Sequence, residues 1–220
     1  MLTKAKREFI TFMMGADVLR FGEFVTKSGR KTPYFVNTGN YRTGAQIAAL
    51  GDFYAALVHE TLGDAFDCMF GPAYKGIPLA TAAAGSLFRL YGVDKPFCFN
   101  RKERKDHGEG GDLIGYTPKD GDRVIIIEDV ITAGTAVRET LPVLQGCGDV
   151  QVKDMFISVN RCEVGKEAGK TAVDEVRDCF GIQVHALVTV RDIREYLGES
   201  GMDAALLAAM DRYMSEYCVF

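Results

Sequence analysis

The sequence lacks the features that mark metal cages, membrane proteins and nucleic-acid binders. The 6 cysteines include no CxxC pair, which excludes a zinc knuckle and a thioredoxin-like site. No apolar run approaches the roughly 18 residues that a membrane span requires. Basic side chains number 26 against 30 acidic ones, a balance that argues against a general nucleic-acid binder. Histidine occurs 3 times, and neither a His/Asp/Glu cluster nor a Ser–His–Asp arrangement is visible.

Repeats, low-complexity tracts and linkers rich in Pro, Ser or Gly are also absent. The 47% apolar content excludes a disordered chain, and 220 residues correspond to one generous domain. The apolar stretch near the N-terminus is broken at Asp17, so we interpret it as an amphipathic helix rather than a secretory signal. Cys68 and Cys98 stand in apolar runs that are typical of buried, reduced thiols. We therefore expect a cytoplasmic protein with free thiols.

Short apolar strands alternate with segments of helical periodicity along most of the chain. The predicted strands are 66–70, 96–100, 123–129, 152–160 and 184–190. The predicted helices are 1–16, 43–62, 76–91, 134–146 and 168–180, with one or two more at the C-terminus and a β-hairpin over 18–38. This alternation predicts an α/β fold with a mostly parallel, doubly wound sheet. Ligands of such sheets bind beyond the carboxyl ends of the strands.

One of these strand ends has the composition of a sugar-phosphate site. The run VIIIEDVITAGTA (124–136) is an apolar strand that ends in Glu128 and Asp129 and continues into a Thr/Gly loop. Backbone N–H groups from Thr132 to Thr135, at the start of a helix, suit a phosphate. The two acids repel a phosphate but suit the neighbouring ribose hydroxyls. An ordinary strand–turn–helix with an exposed acidic end is the alternative.

At this point the chain resembles the type I phosphoribosyltransferases, and among them the members that use orotate. The resemblance extends over nearly the whole chain and includes FGEF…KSGRKTPYFVNTG, FGPAYKGIPLA and FCFNRKERKDHGEGG. One departure is Glu128, where the family usually has Asp. The resemblance implies an N-terminal helix and a small hood hairpin over residues 1–40 and a phosphoribosyltransferase core over 41–220.

The resemblance also implies which residues contact phosphoribosyl pyrophosphate. These are Tyr74, Lys75, Arg101, Lys102, Lys105, His107, Glu128, Asp129, Val130, Ile131, Thr132, Ala133, Gly134, Thr135 and Ala136. The cationic, glycine-rich run 101–112 would be a lid that completes the site of the neighbouring subunit in a homodimer. A solvated surface segment is the simpler interpretation of such a charge run, and Lys75 alone could equally be a surface lysine.

Orotate, by the same resemblance, would contact Lys27, Phe35, Val36, Thr132 and Arg161. A planar guanidinium such as that of Arg161 suits a carboxylate, which distinguishes orotate from uracil. Arg161 could otherwise be a surface charge and Phe35 a core aromatic.

The implied reaction gives orotidine 5′-monophosphate and pyrophosphate through an oxocarbenium-like state, with Lys105, Lys27 and Asp129 as the catalytic group. Mg²⁺ would arrive on the substrate's oxygens rather than in a cage built by the protein. No nucleic acid or membrane is expected as a partner. Two alternatives remain open: a phosphoribosyltransferase for another base, and a regulatory protein that binds phosphoribosyl pyrophosphate without turnover.

Overall fold

The fold is taken from a computed structural model, which describes residues 2–26, 29–102, 112–131 and 134–220. The helices are α1 Lys4–Gly15, α2 Gly44–Leu62, α3 Gly76–Tyr91, α4 Thr135–Gln145, α5 Ala172–Phe180, α6 Val190–Glu199 and α7 Ala204–Tyr217. The strands are β1 Leu19–Val25, β2 Lys31–Val36, β3 Cys68–Phe70, β4 Phe97–Asn100, β5 Leu113–Gly115, β6 Arg123–Val130, β7 Gln151–Asn160 and β8 Gln183–Thr189. A short 3₁₀ turn covers Thr38–Asn40.

Six strands form the central sheet in the order β5-β4-β3-β6-β7-β8. Every neighbouring pair is parallel except β4 and β5, which are antiparallel. The strand order reverses between β3 and β6, and ligands of open α/β sheets bind at such a switch point. The prediction of a mostly parallel α/β sheet is therefore confirmed.

Both faces of this sheet are covered, because successive side chains of a strand point to opposite sides. On β6, Ile125 and Ile127 belong to one buried cluster, whereas Val124 and Ile126 belong to another. The first cluster includes residues of α1, α2, α3, α6 and α7, and the second includes residues of α4 and α5. Because both faces of β6 pack against these clusters, the strand and the two acids at its end have a fixed position in the fold.

The N-terminal hairpin forms a sheet of its own. Strands β1 and β2 pair antiparallel, with Arg20 opposite Phe35 and Leu19 opposite Val36. The hairpin packs against α7, where the rings of Tyr34 and Tyr213 meet edge to face with centroids 5.7 Å apart. The C-terminal helix is thus a structural support of the hood.

Several predicted boundaries were wrong. The predicted helix 168–180 begins at Ala172, because Thr171 and Asp174 form a capping box there. The predicted strand 184–190 ends at Thr189, which caps α6 together with Asp192. The antiparallel edge strand β5 was not predicted, and β3 is shorter than the predicted 66–70.

Cys68 and Cys98 lie fully buried on neighbouring strands, with their sulfurs 3.6 Å apart as free thiols. Among the described residues, no helix combines the length and apolarity needed to cross a membrane.

Candidate active site

Asp129, at the carboxyl end of β6, is the centre of the candidate site. Its side chain is 8% exposed. Oδ2 accepts hydrogen bonds from the ammonium of Lys75 at 2.8 Å and from the hydroxyl of Thr38 at 2.6 Å. Oδ1 accepts from the backbone N–H of Val130 at 2.7 Å. The structure therefore brings together two of the predicted residues, Asp129 and Lys75, and adds Thr38.

These contacts keep Asp129 ionised despite its burial. Burial disfavours the charged carboxylate, but the ammonium of Lys75 and the hydroxyl of Thr38 outweigh it and hold the pKa of Asp129 below its ordinary value. Asp129 is therefore an acceptor at neutral pH, with the protonation state that a pair of sugar hydroxyls needs.

The neighbouring acid, Glu128, has the opposite character. It is buried, and its Oε1 accepts from the backbone N–H of Asp129 at 2.9 Å. Burial raises the pKa of Glu128 to about 8. Its backbone carbonyl accepts from the hydroxyl of Tyr54 at 2.6 Å, and Tyr54 also bonds Ser158 at 2.7 Å. Tyr54 thus fixes the end of β6 from α2.

The loop between β3 and α3 places Lys75 beside Asp129. A side chain at Gly76 would come within 2.6 Å of Pro72, and one at Gly71 would collide with the carbonyl of Gly76. Glycine is therefore required at both positions. The N–H of Ala73 donates to the side-chain oxygen of Asn100 at 2.8 Å, which ties the loop to the end of β4.

The open side of this loop borders a pocket of about 450 Å³. Thr38, Tyr41, Arg42, Tyr74 and Lys75 are among the residues that line it. The side chains of Tyr74 and Lys75 are largely exposed. The cationic side chains of Arg42 and Lys75, beside an open cavity, suit an anionic ligand.

The predicted phosphate loop is described in part. Val130 and Ile131 follow the acids as half-buried residues, and Ile131 packs against the core cluster under α4. Gly134 precedes α4 with φ +64°, a left-handed conformation that glycine adopts without strain. Thr132 and Ala133 lie outside the described residues, as do the side chains of Thr135 and Ala136. The loop leads into the N-terminus of α4, which favours an anion.

The predicted cationic segment is described at its ends, which are Arg101, Lys102 and Asp112. The backbone N–H of Arg101 donates to the carbonyl of Asp112 at 2.8 Å, so both ends of the segment lie side by side. The ammonium of Lys102 is 3.7 Å from a carboxylate oxygen of Glu139 on α4. Lys105 and His107 lie outside the described residues. The segment therefore starts and ends at the carboxyl end of β4.

The predicted base-binding residues lie in the hairpin and after β7. Phe35 stacks on Phe24 with centroids 5.5 Å apart, and Val36 packs against the core. Lys27 lies outside the described residues. Arg161 is 15% exposed and lies 4.9 Å from the ring centroid of Tyr34, the neighbour of Phe35 on β2.

Arg161 is not a surface charge, since fixed partners hold it. Its Nε donates to Glu163 at 2.7 Å and its Nη2 to the hydroxyl of Tyr213 at 3.3 Å. Burial alone would lower the pKa of Arg161, but Tyr34 and Glu163 beside it hold that pKa above its ordinary value. The guanidinium therefore remains charged.

The sequence-based prediction missed four residues that position this site: Thr38, Asn100, Glu163 and Tyr213. Glu163 had no signal of this kind, because Cys162 between it and Arg161 has φ +53° and the chain there is not extended. Thr38, Asn100 and Tyr213 reach the site through contacts 91, 27 and 52 residues along the chain. A single sequence contains no signal for such contacts.

Comparisons with known proteins first define the class of the fold and site. A family model described as a phosphoribosyl transferase domain matches residues 37–188. The orotate phosphoribosyltransferase of Clostridium acetobutylicum is 48% identical to this chain, with coverage of 97% of the chain and 98% of the relative. That of Lachnoclostridium phytofermentans is 49% identical and covers 97% of both.

A solved structure agrees with these relatives. The crystal structure of orotate phosphoribosyltransferase from Francisella tularensis superimposes with a TM-score of 0.86 at 36% identity, over 96% of this chain and 99% of that one. The chain therefore belongs to the orotate phosphoribosyltransferase family.

Proposed function

We propose that this protein transfers the 5-phosphoribosyl group of phosphoribosyl pyrophosphate to orotate, giving orotidine 5′-monophosphate and pyrophosphate. The observation that carries the proposal is the ionised, buried Asp129 at the end of β6, with Lys75 on its open side. The full-length similarity to orotate phosphoribosyltransferases supports the choice of substrates.

On the phosphate side, Asp129 accepts hydrogen bonds from the ribose hydroxyls, and backbone N–H groups at the start of α4 hold the 5-phosphate. Lys75 meets the pyrophosphate from the neighbouring loop. Because Lys75 is 60% exposed, its ammonium can leave Asp129 for a phosphate oxygen without breaking the core. Lys102, Lys105 and His107 would add further positive charge as the cationic segment covers the substrate.

On the base side, Arg161 binds the ring carboxylate of orotate, and Phe35 and Val36 contact the ring. Lys27 would lie near the reacting centre. Uracil lacks the carboxylate and would leave the buried guanidinium without its ligand, so discrimination against uracil should be large.

The arrangement suits a reaction in which bond breaking at the anomeric carbon precedes bond making. Positive charge then develops on the ribose, close to the carboxylate of Asp129, as in glycosyl transfer. The departing pyrophosphate gains negative charge near Lys75. Neither step needs a covalent nucleophile, and the chain's task is to position and stabilise charge.

Mg²⁺ is part of the proposal as an ion carried by the substrate. Among the described residues, no three His, Cys, Asp or Glu side chains are grouped closely enough to hold a metal. The carboxylate of Asp129 and the substrate's own oxygens are the hard ligands that Mg²⁺ prefers. Bound there, the ion would neutralise charge on the leaving pyrophosphate.

Orotate-dependent release of pyrophosphate from phosphoribosyl pyrophosphate, followed with purified protein, tests this function. We expect turnover with orotate, loss of turnover in EDTA with recovery in excess Mg²⁺, and little turnover with uracil or adenine. Turnover with a purine instead would identify a phosphoribosyltransferase for another base. Binding of phosphoribosyl pyrophosphate without turnover would identify a regulatory protein.

A mixing experiment tests the proposed homodimer, in which the 101–112 segment completes the neighbour's site. Lys105→Ala and Arg161→Ala chains should each be inactive alone. Mixed chains should regain activity in the mixed dimers that carry both defects at one site and none at the other. No recovery would place the segment over its own subunit's site. A cytoplasmic location completes the proposal and fits the free thiols.

A further inference from the structure

The guanidinium of Arg161 has one edge that donates to protein side chains and one edge without a partner among the described residues. Arginine carries five N–H donors in a planar fork. The side edge, formed by Nε and Nη2, donates to Glu163 and to the hydroxyl of Tyr213. Nη1 donates to no acceptor within the described part of the chain. The end edge, formed by Nη1 and Nη2, therefore remains for a planar carboxylate.

Glu163 is the centre of this arrangement. One of its oxygens accepts from both Arg161 Nε and the hydroxyl of Tyr213, and the other accepts from Nη1 of Arg30 at 3.2 Å. Glu163 is 22% exposed. The three donors come from the hood, from the segment after β7 and from α7, so the carboxylate joins three separate parts of the fold.

The partners of Arg161 are themselves fixed. Backbone hydrogen bonds of 2.9 Å join Val219 to Cys162 and Val164 to Tyr217, so the end of α7 is bound to the segment that carries Glu163. Tyr213 packs edge to face on Tyr34, whose ring lies against the guanidinium. Tyr213 therefore has little freedom to move its hydroxyl.

The charge balance favours an acidic ligand. Glu163 offsets one positive charge, but Arg30 and Arg161 both lie against it. The three side chains keep one net positive charge. An additional carboxylate is therefore attracted to these side chains, because Glu163 neutralises only one of the two positive charges.

We propose that Glu163 and Tyr213 are positioning residues that set base specificity by holding the side edge of Arg161, so that its end edge meets the ring carboxylate of the acceptor base. This inference rests on the proposed function. An arginine that is already oriented loses less freedom on binding than a mobile one, so the pair should strengthen orotate binding and leave phosphoribosyl pyrophosphate binding unchanged.

Steady-state kinetics of Tyr213→Phe and Glu163→Gln test the proposal. Removing the Tyr213 hydroxyl should raise KM for orotate about 10-fold, the size expected for one hydrogen bond to a charged group. KM for phosphoribosyl pyrophosphate should stay within about 2-fold, and the preference for orotate over uracil should fall by the same factor. Glu163→Gln should show the same selective change with a larger effect.

A matched control and a double mutant separate positioning from a structural role. Tyr217→Phe removes a hydroxyl one turn further along α7, whose neighbour is Glu216, and it should leave both KM values unchanged. In an Arg161→Lys background the side edge is gone, so Tyr213→Phe should have no further effect on KM for orotate. Additive effects of the two substitutions would overturn the proposal.

The outcomes distinguish this inference from the proposed function. A wild-type protein without orotate-dependent turnover would refute the function itself. An active wild type whose Tyr213→Phe and Glu163→Gln variants keep a normal KM for orotate would refute only the positioning role. Equal increases in both KM values would also refute it, because they would indicate a general loss of structure.

Discussion

The proposed phosphate side and the proposed base side of the site hold their charged groups differently. On the phosphate side, Asp129 is 8% exposed but its partner Lys75 is 60% exposed. On the base side, Arg161 is 15% exposed and Glu163 is 22% exposed. The first pair can therefore open as a substrate arrives, whereas the second is a permanent part of the fold. An exchangeable partner suits an anion that must enter and leave, and a fixed partner suits a group that must recognise one base.

The two sides also draw on different parts of the chain. Thr38, Lys75 and Asp129 all lie within residues 37–188, the region that matches the phosphoribosyl transferase domain. Arg161 and Glu163 lie there too, but Arg30 and Tyr213, which help to fix them, lie outside it. We infer that the shared domain provides the proposed sugar-phosphate site and Arg161, and that the hood and α7 help to orient Arg161 for the choice of base.

The largest effect should come from Asp129→Asn, which removes the buried carboxylate that Lys75 contacts. We expect kcat/KM for phosphoribosyl pyrophosphate to fall by about 100-fold to 1,000-fold, because one acceptor oxygen for the proposed ribose contact becomes an NH₂ donor, the negative charge is lost, and Lys75 loses its ionised partner. The measurement is pyrophosphate release at varied phosphoribosyl pyrophosphate. Asp149→Asn, outside the site, is the control. An Asp129→Asn enzyme with wild-type kcat/KM would show that the diol binds elsewhere.

The sequence predicted the strand–helix alternation and the acids at the end of β6 because both depend on local residue patterns. The apolar run before Glu128 indicates a strand buried on both faces, and the Thr/Gly run after it indicates a helix start. The sequence did not predict β5, because this strand has three residues and therefore no periodicity of its own. It also missed Tyr213, because nothing in the amphipathic pattern of α7 shows which distant side chain its hydroxyl meets.

Stability measurements on two matched variants test the difference between the Lys75–Asp129 pair and the Arg161–Glu163 pair. Arg161→Met should lower the free energy of unfolding by about 3 kcal/mol, because it leaves Glu163 largely buried with one partner fewer. Lys75→Met should lower it by about 1 kcal/mol or less, because water can replace an exposed ammonium. Urea unfolding at neutral pH measures both values. Equal losses would contradict the distinction between an exchangeable and a fixed pair.

A pH series tests the contrast between the two adjacent acids of the phosphate side. Because burial raises the pKa of Glu128 to about 8, the folded state disfavours its charged form. The contribution of protonated Glu128 to the free energy of unfolding is complete below the ordinary Glu pKa of about 4.3, and it is lost as pH rises through the folded-state pKa of about 8. The wild type should therefore lose free energy of unfolding relative to Glu128→Gln, by at most about 1.4 kcal/mol per pH unit. A constant difference between the two proteins from pH 5 to 8 would show that Glu128 is already ionised.

The smallest effect concerns the cysteines, which report local opening on each side without a change in activity. Cys68 and Cys98 lie fully buried on β3 and β4, whereas Cys162 and Cys218 are half-buried beside Arg161. Burial raises the pKa of Cys162 to about 11 and that of Cys218 to about 12, so these two thiols should react slowly with an aromatic disulfide.

In a Cys179→Ser protein, which lacks the exposed thiol, mass spectrometry should show labelling of Cys162 and Cys218 before Cys68 and Cys98. Increasing urea should accelerate the buried pair more steeply, because that pair becomes accessible only on global unfolding. Labelling of Cys68 as fast as that of Cys218 would mean that β3 opens as readily as the segment beside Arg161, and the order expected from the burial of the thiols would be wrong.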